Sequence, residues 1–233
     1  MMISLIGAMP YLILIGDNMN YSDVIVWDLE TTGKDPKTAQ IVQIGAVVVN
    51  ARKWEIKPGT EFNILAKPLY GEECAKAGLE ELTDGAIKVH GKTHDILSSA
   101  QNTKSALENF KAYVDEFNFK KNRWGSPIPA GYNSIGYDHP ILARDLERFG
   151  ITDFFHPIIK LDVMHHMWMF FENDKDVSSL SADNLIRGKF GYNKGIAHDA
   201  LGDVVMTAEV LCKTMHLMRK TVSKVKFDKC MES

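Results

Sequence analysis

The sequence predicts an α/β domain, a mixed sheet flanked by helices, on three observations. Residues 24–27 (VIVW) are wholly apolar and mostly β-branched, the composition of a strand buried on both faces. Two more strand-like runs follow with no helical pattern between them, which indicates an antiparallel meander. Short apolar runs then alternate with amphipathic stretches, and that order builds a mixed sheet with helices against it. A chain of 233 residues can bury one full core of this kind. With 45% hydrophobic and 24% charged residues it is not a disordered chain.

The first 16 residues carry no charged side chain, Asp17 being the first. A secretory signal wants a basic start, and a membrane span wants about 20 apolar residues, whereas Gly7 and Pro10 interrupt this shorter run. Residues 1–18 therefore read as the product of a start placed upstream of the true first residue, Met19. The other reading is an extra apolar element packed on the domain or on a partner. No membrane association is expected. The domain itself is expected over residues 19–220, followed by a short basic tail, 221–233, with Lys224, Lys226 and Lys229 continuing from Lys220. That tail reads as a solvated helix end, too short for a second domain.

Within the domain, Thr32-Gly33-Lys34-Asp35-Pro36 is a turn cluster leading to a second strand, residues 41–49. Residues 61–66 begin with polar–apolar alternation that puts Phe62 and Ile64 on one side, a third strand. Leu107, Phe110, Val114 and Phe117 recur at steps of three and four, one apolar stripe of a helix. Residues 127–131 read as a short strand. Pro140 belongs in the first turn of a helix that carries Ile141, Leu142 and Leu146 and stops at Gly150. Residues 158–161 read as another short strand, and Ser181 or Asp183 opens a helix ending near Gly188. The last helix runs from about Asp199 into residues 213–220, with basic residues where the helix dipole favours them.

A net charge of −3 and a pI near 6.2 argue against a protein held to nucleic acid by bulk electrostatics. They do not exclude a nuclease, because bound cations offset an acidic site locally. Cys74, Cys212 and Cys230 form neither a C-x-x-C pair nor an even framework, so they read as reduced thiols in a cytoplasmic compartment.

Three separated segments carry the chemistry. Asp28 and Glu30 stand two apart at the end of the first strand, so both carboxylates share a face while Leu29 points away. A buried strand that ends in two acids wants a compensating cation. Asp138 lies at the start of the Pro140 helix, where it can cap the N-terminus, face a site, or do both. In His198-Asp199-Ala200-Leu201-Gly202-Asp203, a helix beginning near Asp199 puts Asp203 one turn in and His198 at its mouth. Taken alone, that segment also suits a capping aspartate with an incidental histidine. Ala200 and Gly202 are small enough for close approach to the sheet. Asp199 and Asp203 share a face at i, i+4, where like charges repel unless a cation intervenes. Carboxylates sharing two divalent cations, with a histidine beside them, can cleave a phosphodiester.

These segments resemble the three motifs of the DnaQ-like 3′–5′ exonucleases: Asp28-Leu29-Glu30-Thr31-Thr32-Gly33, then Asn133 through Tyr137-Asp138, then His198-x-Ala-x-x-Asp203. The histidine in the third is similar to the DEDDh subgroup. Residues 41–47 resemble the family's second strand, Val89-His90-Gly91-Lys92-Thr93 its His-Gly-Ile-Thr segment, and Leu161-Asp162-Val163 a later strand, so the resemblance spans about residues 24–217. Each motif is short, but three in order at family-like separations are specific. Gln43 stands where many relatives carry an acid, and no catalytic meaning is attached to it. The GYNSIGYDHPIL and AHDALGDV stretches are most similar to the nuclease domains of the bacterial exonuclease I group.

The resemblance implies an RNase H-like fold with a five-stranded mixed sheet, and two divalent cations, Mg²⁺ or Mn²⁺. It implies that Asp28 bridges both, that Glu30 and Asp203 complete one site, and that Asp138 supports the other. It makes His198 the general base, a role suited to a group titrating near neutrality. Leu29, Thr31, Thr32 and Asn133 would lie against the 3′-terminal nucleotide. The expected activity is release of nucleoside 5′-monophosphates from the 3′ ends of single-stranded DNA. An exoribonuclease, and a non-catalytic accessory or proofreading subunit, are the other readings, with a polymerase or repair protein as the expected kind of partner. Lys120, Lys121, Arg123 and Trp124 read as a loop with one packed tryptophan, with contact to a nucleic-acid backbone the other reading. The remaining histidines, His165-His166 among them, read as structural, and Met164, Met167 and Met169 as core filler.

Overall fold

A computed structural model describes residues 23–192 and 199–224. The expected α/β architecture is what it contains. The strands are β1 (Val24–Thr31), β2 (Ile41–Asn50), β3 (Glu55–Ile56), β4 (Phe62–Lys67), β5 (Gln101–Asn102), β6 (Ile128–Gly131) and β7 (Leu161–Asp162). They form one sheet in the order β5-β4-β2-β1-β6-β7, with β3 paired to β2. β1–β2 and β2–β4 are antiparallel, the expected meander, whereas β1–β6 and β6–β7 are parallel. The five-stranded frame expected from the sequence is β4-β2-β1-β6-β7. The additional pieces β3 and β5 are two residues each, too short to leave a signal in the sequence.

The long helices fall where the apolar stripes and stop signals put them. α4 (Thr103–Glu116) is capped by Asn102, whose side chain accepts from the Ser105 N–H at 2.9 Å. α5 (Asp138–Phe149) has Pro140 in its first turn and ends on Gly150 at φ +64°, left-handed backbone that glycine adopts without strain. α7 (Ala200–Val222) begins one residue after Asp199 and carries Arg219 and Lys220 in its last turn. The predicted helix from Ser181 or Asp183 is a π-helical turn, Asp183–Lys189.

Three short helices had no sequence expectation: α1 (Gly71–Lys76), α2 (Asp84–His90) and α3 (His94–Ser98). So did α6 (Val163–Phe171). Of the α6 methionines only Met167 is fully buried, while Met169 is 54% exposed beside the exposed Trp168 and Phe170, which corrects the reading of Met169 as core filler. Trp124 is likewise 51% exposed in a 3₁₀ turn, not packed, and meets His156 only edge-on.

Two cores sandwich the sheet. On one face Ile25, Trp27 and Leu29 pack with Leu107, Phe110 and Val114 of α4 and Ile141, Leu142 and Leu146 of α5. On the other, Val24 and Val26 pack with Val163 and Met167 of α6, Leu185 and Ile186 of the π turn, and Val204, Ala208 and Leu211 of α7. Among the described residues no helix is long and apolar enough to cross a membrane.

Candidate active site

Side chains of a strand alternate faces, and β1 places two acids by continuing a row that the core begins. Val24 and Val26 belong to the α6–α7 core, so Asp28 and Glu30, two and four residues on, point to the same side. Across the antiparallel ladder Gly45 lies opposite Asp28 and Gln43 opposite Glu30. A Cβ built on Gly45 would come within 2.6 Å of the Ala200 carbonyl carbon and 2.7 Å of the Leu201 nitrogen. The absent side chain is thus what seats the first turn of α7 on the sheet beside Asp28.

That first turn is held by charge. The Asp199 carboxylate accepts from Gln43 Nε2 at 3.0 Å and from Lys92 Nζ at 2.9 Å. Gln43 Oε1 in turn accepts the Ala200 N–H at 3.3 Å, one of the donors left open at a helix start. One turn along, Asp203 Oδ1 accepts from Arg187 Nη2 at 2.6 Å. The Arg187 Nε lies 3.4 Å from Asp183 within the π turn.

Asp138 arrives from the opposite side. It is the first residue of α5, only 3% exposed, and its Oδ1 accepts the Leu29 N–H at 3.2 Å. The loop that delivers it is pinned by Asp162, a buried carboxylate accepting the N–H groups of Asn133 (2.9 Å), Ile135 (3.1 Å) and Met164 (3.0 Å). Asn133 there has φ +58°, a left-handed conformation that asparagine tolerates better than most residues.

The acids strain one another electrostatically. Burial raises the Asp28 pKa well above the usual carboxylate range, and Asp138, Glu30 and Asp203 push it further. Burial, then Asp203, lifts Glu30 to about 7, with Lys92 opposing. Asp138 is lifted to about 8 by burial against the lowering effect of the Leu29 N–H. Burial also opposes ionisation of Asp199, but hydrogen bonds from Gln43 and Lys92 win and hold its pKa below the usual value. Such a cluster of hard oxygen donors, mutually repelled and short of positive charge, suits a divalent cation of the Mg²⁺ or Mn²⁺ type. Among the described residues no three acidic, histidine or cysteine groups are already closed into a cation cage.

Beside Glu30 opens a cleft of about 380 Å³, lined by Leu29, Thr31, Val89, His90 and Tyr137 among others. Tyr137 hydroxyl bonds Thr31 Oγ1 at 2.6 Å and the Gly33 carbonyl at 2.5 Å, which fixes one wall. The buried His90 accepts the Lys92 N–H at Nδ1 (2.9 Å) and contacts the Thr31 carbonyl through Nε2 at 3.2 Å. With Nδ1 accepting, Nε2 is the nitrogen placed to donate to the Thr31 carbonyl. Val89 stays 49% exposed at the rim.

Of the residues singled out by sequence, Asp28, Glu30, Asp138 and Asp203 come together, and Leu29 and Thr31 line the cleft. Thr32 and Asn133 do not line it. Thr32 is fully buried, its hydroxyl donating to the Glu80 carbonyl and accepting the Gln40 N–H. Asn133 serves the loop in front of α5. His198 lies outside the described residues, as do the apolar residues 1–18 and Lys226 and Lys229 of the tail. Gln43, Lys92 and Arg187, which place or neutralise the acids, were not singled out for the site. Gln43 shares the strand face of the acids by parity, and Lys92 replaces an apolar family position. For Arg187 the sequence carries no signal.

Several known proteins are similar to this chain. The RNase_T exonuclease family model matches residues 25–211. A PolC-type DNA polymerase III of Thermotoga maritima is 22% identical over 213 residues, covering 91% of this chain and 13% of the polymerase. An oligoribonuclease of Pseudoalteromonas translucida is 28% identical over 148 residues, 60% of this chain and 70% of the enzyme. Among solved structures, E. coli exonuclease I in complex with a dT13 oligonucleotide superposes with a TM-score of 0.68 at 18% identity, covering 87% of this chain and 43% of that one. The chain thus spans a small fraction of that polymerase and less than half of that exonuclease chain.

Proposed function

This chain belongs to the RNase_T exonuclease family, and on that premise we propose that it is a divalent-metal-dependent 3′–5′ exonuclease acting on single-stranded DNA. The observation that carries the proposal is the meeting of Asp28, Glu30, Asp138 and Asp203 from β1, α5 and α7, close enough that charge within the group helps raise the pKa values of Asp28, Glu30 and Asp138. These four carboxylates would hold the cations. Bound there, divalent cations supply an activated water and stabilise charge on the attacking and leaving oxygens.

The chain's own groups do the rest. The Leu29 N–H holds the Asp138 carboxylate in place, and the hydrogen-bonded wall of Tyr137, Thr31 and Gly33 fixes the shape of the cleft. The cleft has the volume of a small-ligand site, and its apolar wall at Leu29 and Val89 suits the face of a terminal base. Such contacts read a strand end and not a sequence. His198, by its place in the third motif, takes the proton from the attacking water. A polymerase is the partner class that the PolC-type relative supports.

DNA is the substrate on the strength of the two stretches similar to the exonuclease I group. The second reading, RNA, is favoured by the oligoribonuclease relatives. The test is incubation of the chain and its Asp203→Ala variant with 5′-labelled single-stranded DNA and RNA of one sequence, in Mg²⁺, Mn²⁺ or EDTA. The expected result is a metal-dependent ladder shortening from the 3′ end of DNA, absent in the variant. Faster shortening of RNA would transfer the proposal to an exoribonuclease. No shortening of either strand in any metal would favour a non-catalytic binding subunit.

A further inference from the structure

The geometry points to Arg187 as a counter-ion that a divalent cation displaces from Asp203, and that then meets a phosphate of the bound strand. This rests on the reading of Asp203 as a cation ligand given above. Four observations support it.

The first is the partner. Of the four clustered carboxylates, Asp203 is, among the described residues, the one on which a basic side chain sits directly, with Arg187 Nη2 2.6 Å from Oδ1. Arg187 thus brings positive charge directly onto one of the four acids.

The second is exclusion. A guanidinium has no lone pair to give a metal and stays charged at every accessible pH. It cannot share the bonded oxygen's surroundings with a dication except against direct repulsion. The Asp203 Oδ1 is bonded to Arg187 Nη2. A dication that takes this oxygen displaces Arg187.

The third is where Arg187 goes. Its Nε is 3.4 Å from Asp183, which is 58% exposed at its side chain and lies one turn earlier in the same segment. That contact tethers the guanidinium at the mouth of the site after it leaves Asp203. The segment is a π-helical turn, a geometry that concentrates at functional positions and widens the spacing of its side chains. A planar, five-donor cation beside a metal-carboxylate centre is suited to the non-bridging oxygens of a phosphodiester.

The fourth is the contrast with Lys92. That ammonium pairs with Asp199, which is outside the four-carboxylate set, and steadies the helix start without occupying a ligand oxygen. Arg187 stands on a ligand oxygen itself.

The experiment is titration of the full chain with Mn²⁺ alone, by calorimetry and by electron paramagnetic resonance of the free ion. It compares wild type, Arg187→Gln, Arg187→Lys and Asp203→Asn, each checked for folding by circular dichroism. Arg187→Gln is expected to bind Mn²⁺ about tenfold tighter than wild type, the size of an ordinary coupling between two sites. Arg187→Lys should fall between them. At saturating Mn²⁺, Arg187→Gln should also raise KM for a labelled oligonucleotide more than it lowers kcat. Its affinity should depend on salt less steeply, by about one phosphate contact. Unchanged or weaker Mn²⁺ binding by a folded Arg187→Gln, with Asp203→Asn losing affinity, overturns the role of Arg187 and leaves the metal site standing. Wild-type Mn²⁺ binding that Asp203→Asn does not weaken overturns both.

Discussion

The two halves of the acidic site are held by different forces. Asp28, Glu30 and Asp138 are presented by the sheet and by α5, from backbone that the hydrophobic cores immobilise. The Asp138 carboxylate has a main-chain partner, the Leu29 N–H, and the loop behind it is tied to a second buried carboxylate, Asp162. Asp199 and Asp203, on the first turn of α7, are held by side-chain charges, Lys92 and Arg187, and by one amide, Gln43. The difference teaches which half is fixed and which can respond. Backbone hydrogen bonds in a packed core do not exchange partners, whereas an ion pair on a half-buried carboxylate yields to a stronger cation.

The largest effect expected on the fixed half is chemical. Asp28→Asn removes a charge that three other carboxylates oppose, so the fold should survive or gain while kcat/KM falls by about 10³-fold or more. A variant that keeps a tenth of wild-type activity, measured on the labelled strand, would detach Asp28 from the reaction. Next comes the support. Asp162→Ala deletes the acceptor of three N–H groups, and at about 1.5–3 kcal/mol for each hydrogen bond to a charged group the loss should be about 4 kcal/mol or more in urea unfolding. On the responsive half the seat of α7 can be broken without touching a charge. Gly45→Ala puts a methyl group against the Ala200 backbone and should cost about 2 kcal/mol while activity falls more than for an equally destabilising core variant. Wild-type activity in Gly45→Ala would mean that α7 need not sit where the sheet now holds it.

How much of this the sequence disclosed follows the same division. Strand β1 is legible because an apolar run buried on both faces has few other readings, and the face of Asp28 and Glu30 follows from the period of two. Helix α5 announces both ends, Pro140 and Gly150, and α7 announces its first turn. The short helices α1, α2 and α3 do not, because five to seven residues cannot establish a 3.6-residue period. Thr83, Gly91 and Thr93 mark their ends in the structure by caps that resemble ordinary turn residues in sequence. Thr32 was misplaced because its neighbour Thr31 faces the cleft, and the irregular register between Glu30 and Thr31 upsets the parity that would have separated them. The contacts of Gln43 with Asp199, and of Lys92 with the same residue, span 156 and 107 positions. Periodicity encodes local faces and says nothing at that range.

The smallest effect sharpens the comparison most, because it isolates one charge. Glu30 and Asp138 have pKa values near 7 and 8 in the folded chain against 4.5 and 3.8 for the free groups. The folded protein therefore retains protons that the unfolded chain releases, so these groups stabilise it at low pH and that contribution is lost as pH rises to about 8. The buried His139 works in the opposite sense. Burial lowers it to about 3, so its neutral ring favours the folded state as pH rises through 6.5. A simple melting curve against pH mixes these contributions, and a difference between two chains does not. Asp138→Asn keeps an oxygen for the Leu29 N–H and removes only the titration. In EDTA its lead over wild type in melting temperature should grow from pH 5.5 to pH 8.5 by about 3 °C or more, one pK unit being about 1.4 kcal/mol. Saturating Mg²⁺ should erase or reverse the gain, since the wild-type carboxylate then has a cation to face. An equal difference at both pH values would show that packing, and not charge, separates the two chains, and the fixed half would lose its electrostatic reason for wanting a metal.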